Sequence, residues 1–211
     1  MKLIFLGPPG AGKGTLAGYV SKEHTIPQIS TGDIFRDAIK RETDLGKKVK
    51  EIVGRGDLVP DELTVSLVRE RLTQPDAQKG YILDGFPRTI PQAEALEKFQ
   101  ALDAVINFAI DDALVVKRLS GREICKSCGA IYHVTNMPSK VKGVCDKCGG
   151  PTYTRPDDSL ESITNRLEVY RNQTEPLIAF YRGKGLLKDI DSSKSPEDTH
   201  KQIVKVLSGL K

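Results

Sequence analysis

Apolar positions along the chain fall into short unbroken runs that alternate with longer periodic stretches. Lys2-Leu3-Ile4-Phe5-Leu6, Gly80-Tyr81-Ile82-Leu83-Asp84 and Ala104-Val105-Ile106-Asn107-Phe108-Ala109-Ile110 are of strand length, and Leu186-Leu187-Lys188-Asp189-Ile190 offers a last one. Runs of this kind suit strands buried on both faces, so a parallel sheet covered by helices on both sides is expected, an α/β architecture. Between the runs, apolar residues recur at helical spacing. Helices are expected over about 12–23, from Ser30 through Ile39, over 63–72, 91–99 and 112–119, from Ser159 towards Phe180 with a bend near Pro176, and over 200–210. Ile26 to Ser30 reads as a short extended piece.

Two stretches depart from this alternation. Residues 44–56 carry Leu45, Val49, Ile52 and Val53 among lysines, which predicts a small helical insert with a thin apolar face. From Arg122 to Pro156 the composition changes to cysteines, glycines and short polar strands such as Ala130-Ile131-Tyr132-His133. The chain is therefore divided into a core of residues 1–29, 60–120 and 159–211, a helical insert of residues 30–59, and a cysteine-bearing insert of residues 121–158.

Directly behind the first strand comes Gly7-Pro8-Pro9-Gly10-Ala11-Gly12-Lys13-Gly14-Thr15. The spacing Gly7-x4-Gly12-Lys13 is that of a phosphate-cradling loop, where small residues let backbone N–H groups converge on an anion and a lysine reaches the outer phosphates. The helix that follows turns its positive end towards those phosphates. Gly14 stands where such loops usually place a metal-binding hydroxyl, with Thr15 one place later, so a magnesium ion reached through water is expected.

Cys125-Lys126-Ser127-Cys128 and Cys145-Asp146-Lys147-Cys148 are two CxxC pairs, each followed by glycine. Four sulfurs at this spacing suit a closed structural zinc site in a module too small to hold itself together by its core. Two disulfides or an iron centre are the other outcomes the pattern allows. A nucleic-acid-binding zinc module is poorly supported, because its basic residues are accompanied only by Tyr132 and Tyr153 as aromatics.

The 211 residues carry a formal charge of +4, with the cysteines counted as neutral. Four zinc-bound thiolates would bring that to about +2, so nothing in the bulk charge favours nucleic acid as a partner. No apolar stretch approaches bilayer length, and the first apolar run followed at once by the phosphate loop is not a secretory signal. A cytoplasmic protein without a membrane partner is expected.

Taken together, the loop from Gly7 to Thr15, Ser30-Thr31-Gly32-Asp33 with Arg36, Asp84-Gly85-Phe86-Pro87-Arg88 with Gln92, Gly121-Arg122, the four cysteines, and Asp157-Asp158 with Arg166 resemble the adenylate kinases of the long-lid bacterial type with a cysteine zinc site. The resemblance covers essentially the whole chain. It implies the phosphate-loop nucleoside monophosphate kinase fold and reversible transfer of the terminal phosphoryl group of magnesium ATP to AMP, giving two ADP. It also implies that residues 30–59 bind AMP, that residues 121–158 form the lid, and that the protein is a monomer. Gly10, Ala11, Gly12, Lys13, Gly14 and Thr15 would hold the ATP phosphates, Arg36 and Arg88 the AMP phosphate, and Arg122, Arg155 and Arg166 would close around the transferring group. Arg118, Tyr132 and His133 would lie by ATP. Thr31, Gly85 and Gln92 would meet the AMP base, with Val53 and Val59 lining its pocket. Asp84 would steer magnesium through bound waters, and Cys125, Cys128, Cys145 and Cys148 would hold zinc.

Overall fold

A computed structural model of the chain describes residues 1–210. In chain order its strands are β1 (Lys2–Leu6), β2 (Gln28–Ser30), β3 (Tyr81–Asp84), β4 (Ala104–Ala109), β5 (Arg122–Cys125), β6 (Ile131–His133), β7 (Thr152–Tyr153) and β8 (Leu187–Asp191). Its α-helices are α1 (Lys13–His24), α2 (Thr31–Lys40), α3 (Asp44–Arg55), α4 (Asp61–Leu72), α5 (Ile90–Glu97), α6 (Asp112–Ser120), α7 (Leu160–Val169), α8 (Pro176–Gly183) and α9 (Pro196–Ser208).

Five strands form one sheet in the order β2-β3-β1-β4-β8, every neighbouring pair parallel. The two-residue alternation of β1 divides the core between the faces of that sheet. Leu3 and Phe5 join Leu16, Ala17 and Val20 of α1 and Ile203 and Leu207 of α9 on one side. Ile4 and Leu6 join Val68 and Leu72 of α4, Leu96 of α5, and Leu177 and Tyr181 of α8 on the other. Removing each such side chain from water contributes about 1.5–3 kcal/mol, which accounts for the unbroken apolar runs in the sequence. Because β1 lies between β3 and β4, the chain leaves it in opposite directions, opening a crevice at the carboxyl ends of the strands.

Outside the sheet, α2 and α3 are started by Ser30 and Thr43, whose hydroxyls accept the N–H groups of Asp33 and Gly46 at 3.2 and 3.1 Å. They close over a small apolar cluster of Phe35, Val49 and Val59, with Val53 at its edge. The second departure is an antiparallel sheet in the order β6-β5-β7. The two inserts touch each other, since the Lys40 ammonium donates to the Lys126 carbonyl at 3.3 Å.

Three helices differ from their expected bounds. Both α4 and α9 begin earlier, at Asp61 and Pro196, because their first turns are polar and carry start signals instead of apolar residues. In α9, Ser195 caps the Asp198 N–H at 3.1 Å and Pro196 follows it. The expected bend near Pro176 is a wider, π-type turn over Tyr170–Thr174 that separates α7 from α8. Proline 176 supplies no N–H to a continuing helix, and the turn instead closes through Glu175 N–H to Tyr170 carbonyl at 2.8 Å. The turn also brings buried Thr174 to the Arg88 carbonyl, to which its hydroxyl donates at 2.8 Å.

Candidate active site

The loop between β1 and α1 occupies the crevice. Gly7 leaves the strand at φ 141°, and a Cβ there would stand 2.9 Å from the Phe108 carbonyl, so only glycine lets the loop pass β4 this closely. Helices α2, α3, α5, α7 and α9 each have a Ser or Thr side chain on an N-terminal N–H group. No side chain caps α1, whose N-cap is Gly12 and whose first turn holds no acid. The N–H groups of its first turn, at the end of a glycine-rich loop, thus have no side-chain acceptor of the protein's own and suit an anion. The Lys13 ammonium arches back over the loop and donates to the carbonyls of Gly7 and Pro8 at 2.7 and 2.8 Å. Buried Ser192, beyond β8, donates to the Ala11 carbonyl and ties the loop to the sheet edge.

Asp84 ends β3 beside this loop. Its Oδ2 accepts from Gln28 Nε2 at 3.4 Å and lies 3.4 Å from where a Cβ on Gly14 would sit, so a carboxylate faces the position where other phosphate loops place a hydroxyl. Burial pushes its pKa up, while Lys13 pulls it down. It caps no helix.

Arg88, on the loop after β3, donates through Nε to the Gly85 carbonyl at 2.8 Å, and Thr31 donates to the same oxygen at 2.8 Å. Gly85 itself sits at φ 75°, and a Cβ there would stand 2.8 Å from the Arg88 guanidinium. Thr31, Arg36, Val53, Val59, Gly85, Arg88 and Gln92 line one pocket, with Arg166 and Asp157 at its inner end. A larger cleft of about 860 Å³ adjoins it. That cleft is lined by Gly10 to Thr15, Asp84, Arg118, Arg122, Tyr132, His133 and Arg155.

Arg36, Arg88, Arg122, Arg155 and Arg166 come from the two inserts, the β3 loop and α7, and three carboxylates hold all of them but Arg88. Asp158, with no exposed side-chain surface, takes Arg122 bidentately at 2.8 and 2.5 Å and Arg166 at 3.2 Å. Asp157 meets Arg166 at 3.2 Å and Arg36 at 4.0 Å. Asp33 meets Arg36 at 2.5 Å and Arg155 at 3.7 Å. Burial first, and repulsion from neighbouring arginines with it, lowers the pKa values of Arg155 and Arg166 to about 10. The buried Arg155 Nε has no hydrogen-bond partner among the described residues. Four guanidiniums held this way, with Arg88 beside them, suit a polyanion with more than one phosphate group.

Arg118 donates to the carbonyls of Ser193 and Lys194 at 3.3 Å each, at the wall of the larger cleft. His133 accepts at Nδ1 from the N–H groups of Thr135 and Asn136, both at 3.1 Å, which leaves Nε2 to donate to the Lys117 carbonyl at 3.1 Å. Tyr132 turns its ring inwards: its hydroxyl lies 3.3 Å from Cys145 Sγ and accepts the Asp146 N–H at 2.8 Å. The Tyr132 hydroxyl, hydrogen-bonded to Cys145 Sγ, pulls the Cys145 thiol down to about 6.

The four cysteine sulfurs lie within 4.8 Å of one another. Cys125 and Cys148 are 3.5 Å apart, as are Cys128 and Cys145. These separations exclude disulfides, whose sulfurs stand about 2.05 Å apart. Zinc bonds of about 2.3 Å in a tetrahedron place sulfurs about 3.8 Å apart, and the observed set fits that spacing. N–H groups of Ser127 and Cys128 point to Cys125 Sγ and that of Lys147 to Cys145 Sγ, at 3.4–3.5 Å, as donors to thiolates would.

The family model described as adenylate kinase matches residues 5–186. The chain belongs to the adenylate kinase family. It is 58% identical over 197 residues to the adenylate kinase of Treponema denticola, covering 93% of this chain and 94% of that one. It is 52% identical over 216 residues to that of Archaeoglobus fulgidus, covering all of both chains, and 54% identical to that of Carboxydothermus hydrogenoformans, covering 98% and 99%. Adenylate kinases transfer the terminal phosphoryl group of ATP to AMP, giving two ADP, so this chain is a phosphotransferase acting on these nucleotides. Among the described residues no helix is long and apolar enough to cross a membrane.

Reading the sequence alone missed Asp33, Asp61, Thr174 and Ser192, all of which hold a residue of this adenylate kinase site in place. Asp33 stands inside Ser30-Thr31-Gly32-Asp33, beside Arg36 at helical spacing, so that pair was visible. Ser192 and Thr174 carry no local signal.

Burial within the site brings the Lys13 ammonium down to about 8; Asp84 opposes the fall, and Arg88, Arg166 and Arg122 add to it. Were ATP phosphates held at Lys13, they would meet an ammonium already charged below that value. Above it, their binding would draw a proton onto the lysine, so ATP affinity is expected to fall by up to tenfold per pH unit between about 8 and the ordinary lysine range. Calorimetry at pH 9 in two buffers of different ionisation enthalpy should show uptake approaching one proton, and Lys13→Met should abolish it. Zero uptake in the unmodified protein would contradict this assignment.

Proposed function

We propose that ATP occupies the larger cleft and AMP the smaller pocket, with phosphoryl transfer at the arginine cluster where the two meet. The observation that carries this reading is the pairing of two anion-binding sets around one cluster: the uncapped α1 terminus with Lys13 on one side, Arg36 and Arg88 on the other. In phosphoryl transfer the protein contributes chiefly by positioning and by compensating negative charge. The loop N–H groups and Lys13 hold the donor phosphates, Arg36 and Arg88 orient the acceptor phosphate, and Arg122, Arg155 and Arg166 meet charge on the transferring group. Asp33, Asp157 and Asp158 keep Arg36, Arg122, Arg155 and Arg166 from dispersing before substrate arrives. The acceptor is itself a phosphate anion, so no side chain need act as a strong base. Magnesium bound with ATP supplies further charge compensation at the phosphate oxygens, and Asp84 would hold it through water.

Thr31, Gly85 and Gln92, with Val53 and Val59, form the wall that meets the AMP base, and Arg118 and His133 line the ATP side. The Tyr132 side chain belongs to the cysteine cluster, which leaves its backbone to the cleft. Residues 30–59 act as the AMP-binding unit and residues 121–158 as the lid, over a core of residues 1–29, 60–120 and 159–211. Zinc on the four cysteines staples the lid, and the protein works as a cytoplasmic monomer without nucleic acid as a partner. Magnesium-dependent transfer from ATP to AMP, GMP, CMP and UMP, with all nucleotides followed directly, tests the reading. ADP formation selective for AMP is expected; a preference for another monophosphate would overturn the acceptor pocket, and phosphate release without an acceptor product would overturn the transfer geometry.

A further inference from the structure

Gln92, 1% exposed, lines the smaller pocket with its carboxamide already half engaged. Its Oε1 accepts the Arg88 backbone N–H at 2.7 Å, and its Nε2 donates to Asp61 Oδ1 at 2.6 Å. The other Asp61 oxygen accepts from Thr89 at 3.0 Å, and Thr89 caps the Gln92 N–H at 3.3 Å. A carboxamide offers two N–H donors and two oxygen lone pairs. One of each remains for a ligand, and which side presents the oxygen is settled by neighbours that cannot exchange roles: a backbone N–H only donates, a carboxylate only accepts.

We infer that Asp61 is a specificity-determining positioning residue, which pins the Gln92 carboxamide in the orientation that pairs with a 6-aminopurine and refuses a 6-oxopurine. The inference rests on the pocket assignment made above. The Watson–Crick edge of adenine presents an amino donor beside the N1 acceptor; hypoxanthine reverses both, with an oxo acceptor beside an N1–H donor. A freely turning glutamine would serve either base by flipping. Here the flip would set Nε2 against the Arg88 N–H and Oε1 against the Asp61 carboxylate, leaving buried polar groups opposed on both sides. Sites that leave buried polar groups unpaired with the wrong substrate discriminate strongly.

The test compares AMP with IMP as acceptors, by the ratio of kcat/KM, in the full-length enzyme. Asp61→Asn keeps the shape at the start of α4, but its carboxamide can face Gln92 with oxygen or with NH2, and the Thr89 hydroxyl can adapt to either. One of the two obstacles to the flip is thereby removed, and the AMP:IMP ratio is expected to fall about tenfold, led by a gain with IMP. Asp61→Ala should shift the ratio in the same direction. A merely structural role would lower both acceptors in proportion and leave the ratio unchanged; that result in the Asn variant overturns the inference. If the unmodified enzyme accepts IMP as readily as AMP, the base-pocket assignment fails and the role of Asp61 with it. A wild-type preference for AMP that survives Asp61→Asn leaves the pocket standing and removes Asp61 alone.

Discussion

Arg88→Met should lower kcat/KM for AMP by about 10²-fold or more, because an acceptor phosphate no longer held in line forfeits its alignment with the donor, while moving the melting temperature by only a few degrees. The fold tolerates the change because most of what Arg88 does structurally belongs to its backbone. Its N–H holds Gln92 at 2.7 Å and its carbonyl accepts from Thr174 at 2.8 Å, and both survive the substitution. The side chain gives up one hydrogen bond, to a Gly85 carbonyl that still accepts from Thr31 at 2.8 Å. What disappears is a positive charge shared by the two pockets, beside Asp84 and Arg36. No neighbour can substitute, since Arg36 already serves the same phosphate and Arg166 is held by Asp157 and Asp158. Steady-state kinetics alongside thermal melting decides the matter: a loss under tenfold would place Arg88 outside the transfer geometry, and a collapsed melting temperature would make it a structural residue instead.

The parts of this site legible in the sequence are those in which chemistry is carried by neighbours along the chain. The loop from Gly7 to Thr15 follows its strand directly, the two CxxC pairs bring two sulfurs each, and Arg88 trails Asp84 by four residues. Long-range pairing is a different matter. That Asp158 would take both Arg122 and Arg166, or that Asp61 would reach Gln92 across 31 positions, depends on how α4, α5, α7 and the lid pack, and no local pattern encodes it. Helix starts were misplaced for a related reason: apolar periodicity marks where α9 becomes buried, at Thr199, Ile203 and Leu207, while the polar turn that begins the helix lies before it. Tyr132 shows the limit of alternation. In a short strand the period of two separates the faces of the sheet but does not say which face meets the cysteines and which the nucleotide cleft.

Loss of the zinc proposed for the four cysteines has the largest expected effect on stability, and it should be local. Cys125, Ala130, Tyr132 and Cys145 form the buried cluster of the cysteine-bearing insert, with Ile124 buried besides, far too little apolar area to offset the conformational entropy of ordering some three dozen residues, at about 1–2 kcal/mol each. Structural zinc sites contribute on the order of 10–16 kcal/mol to the folding of such modules. The five-stranded sheet and its two apolar faces share no residue with that cluster. Chelation, or Cys145→Ser, is therefore expected to strip hydrogen-exchange protection from amides in residues 121–158 while those of β1, β3 and β4 stay protected. Turnover should fall with it, by about 10²-fold or more, because Arg122 and Arg155 reach the cluster from this insert and Asp158 can hold Arg122 only while β5 is in place. Metal analysis should give one zinc per chain before treatment. Amides of residues 121–158 that remain protected after the metal is gone would show that the insert folds without its staple. Loss of turnover under that same condition would move the ion from holding the arginines in position to a direct part in the transfer.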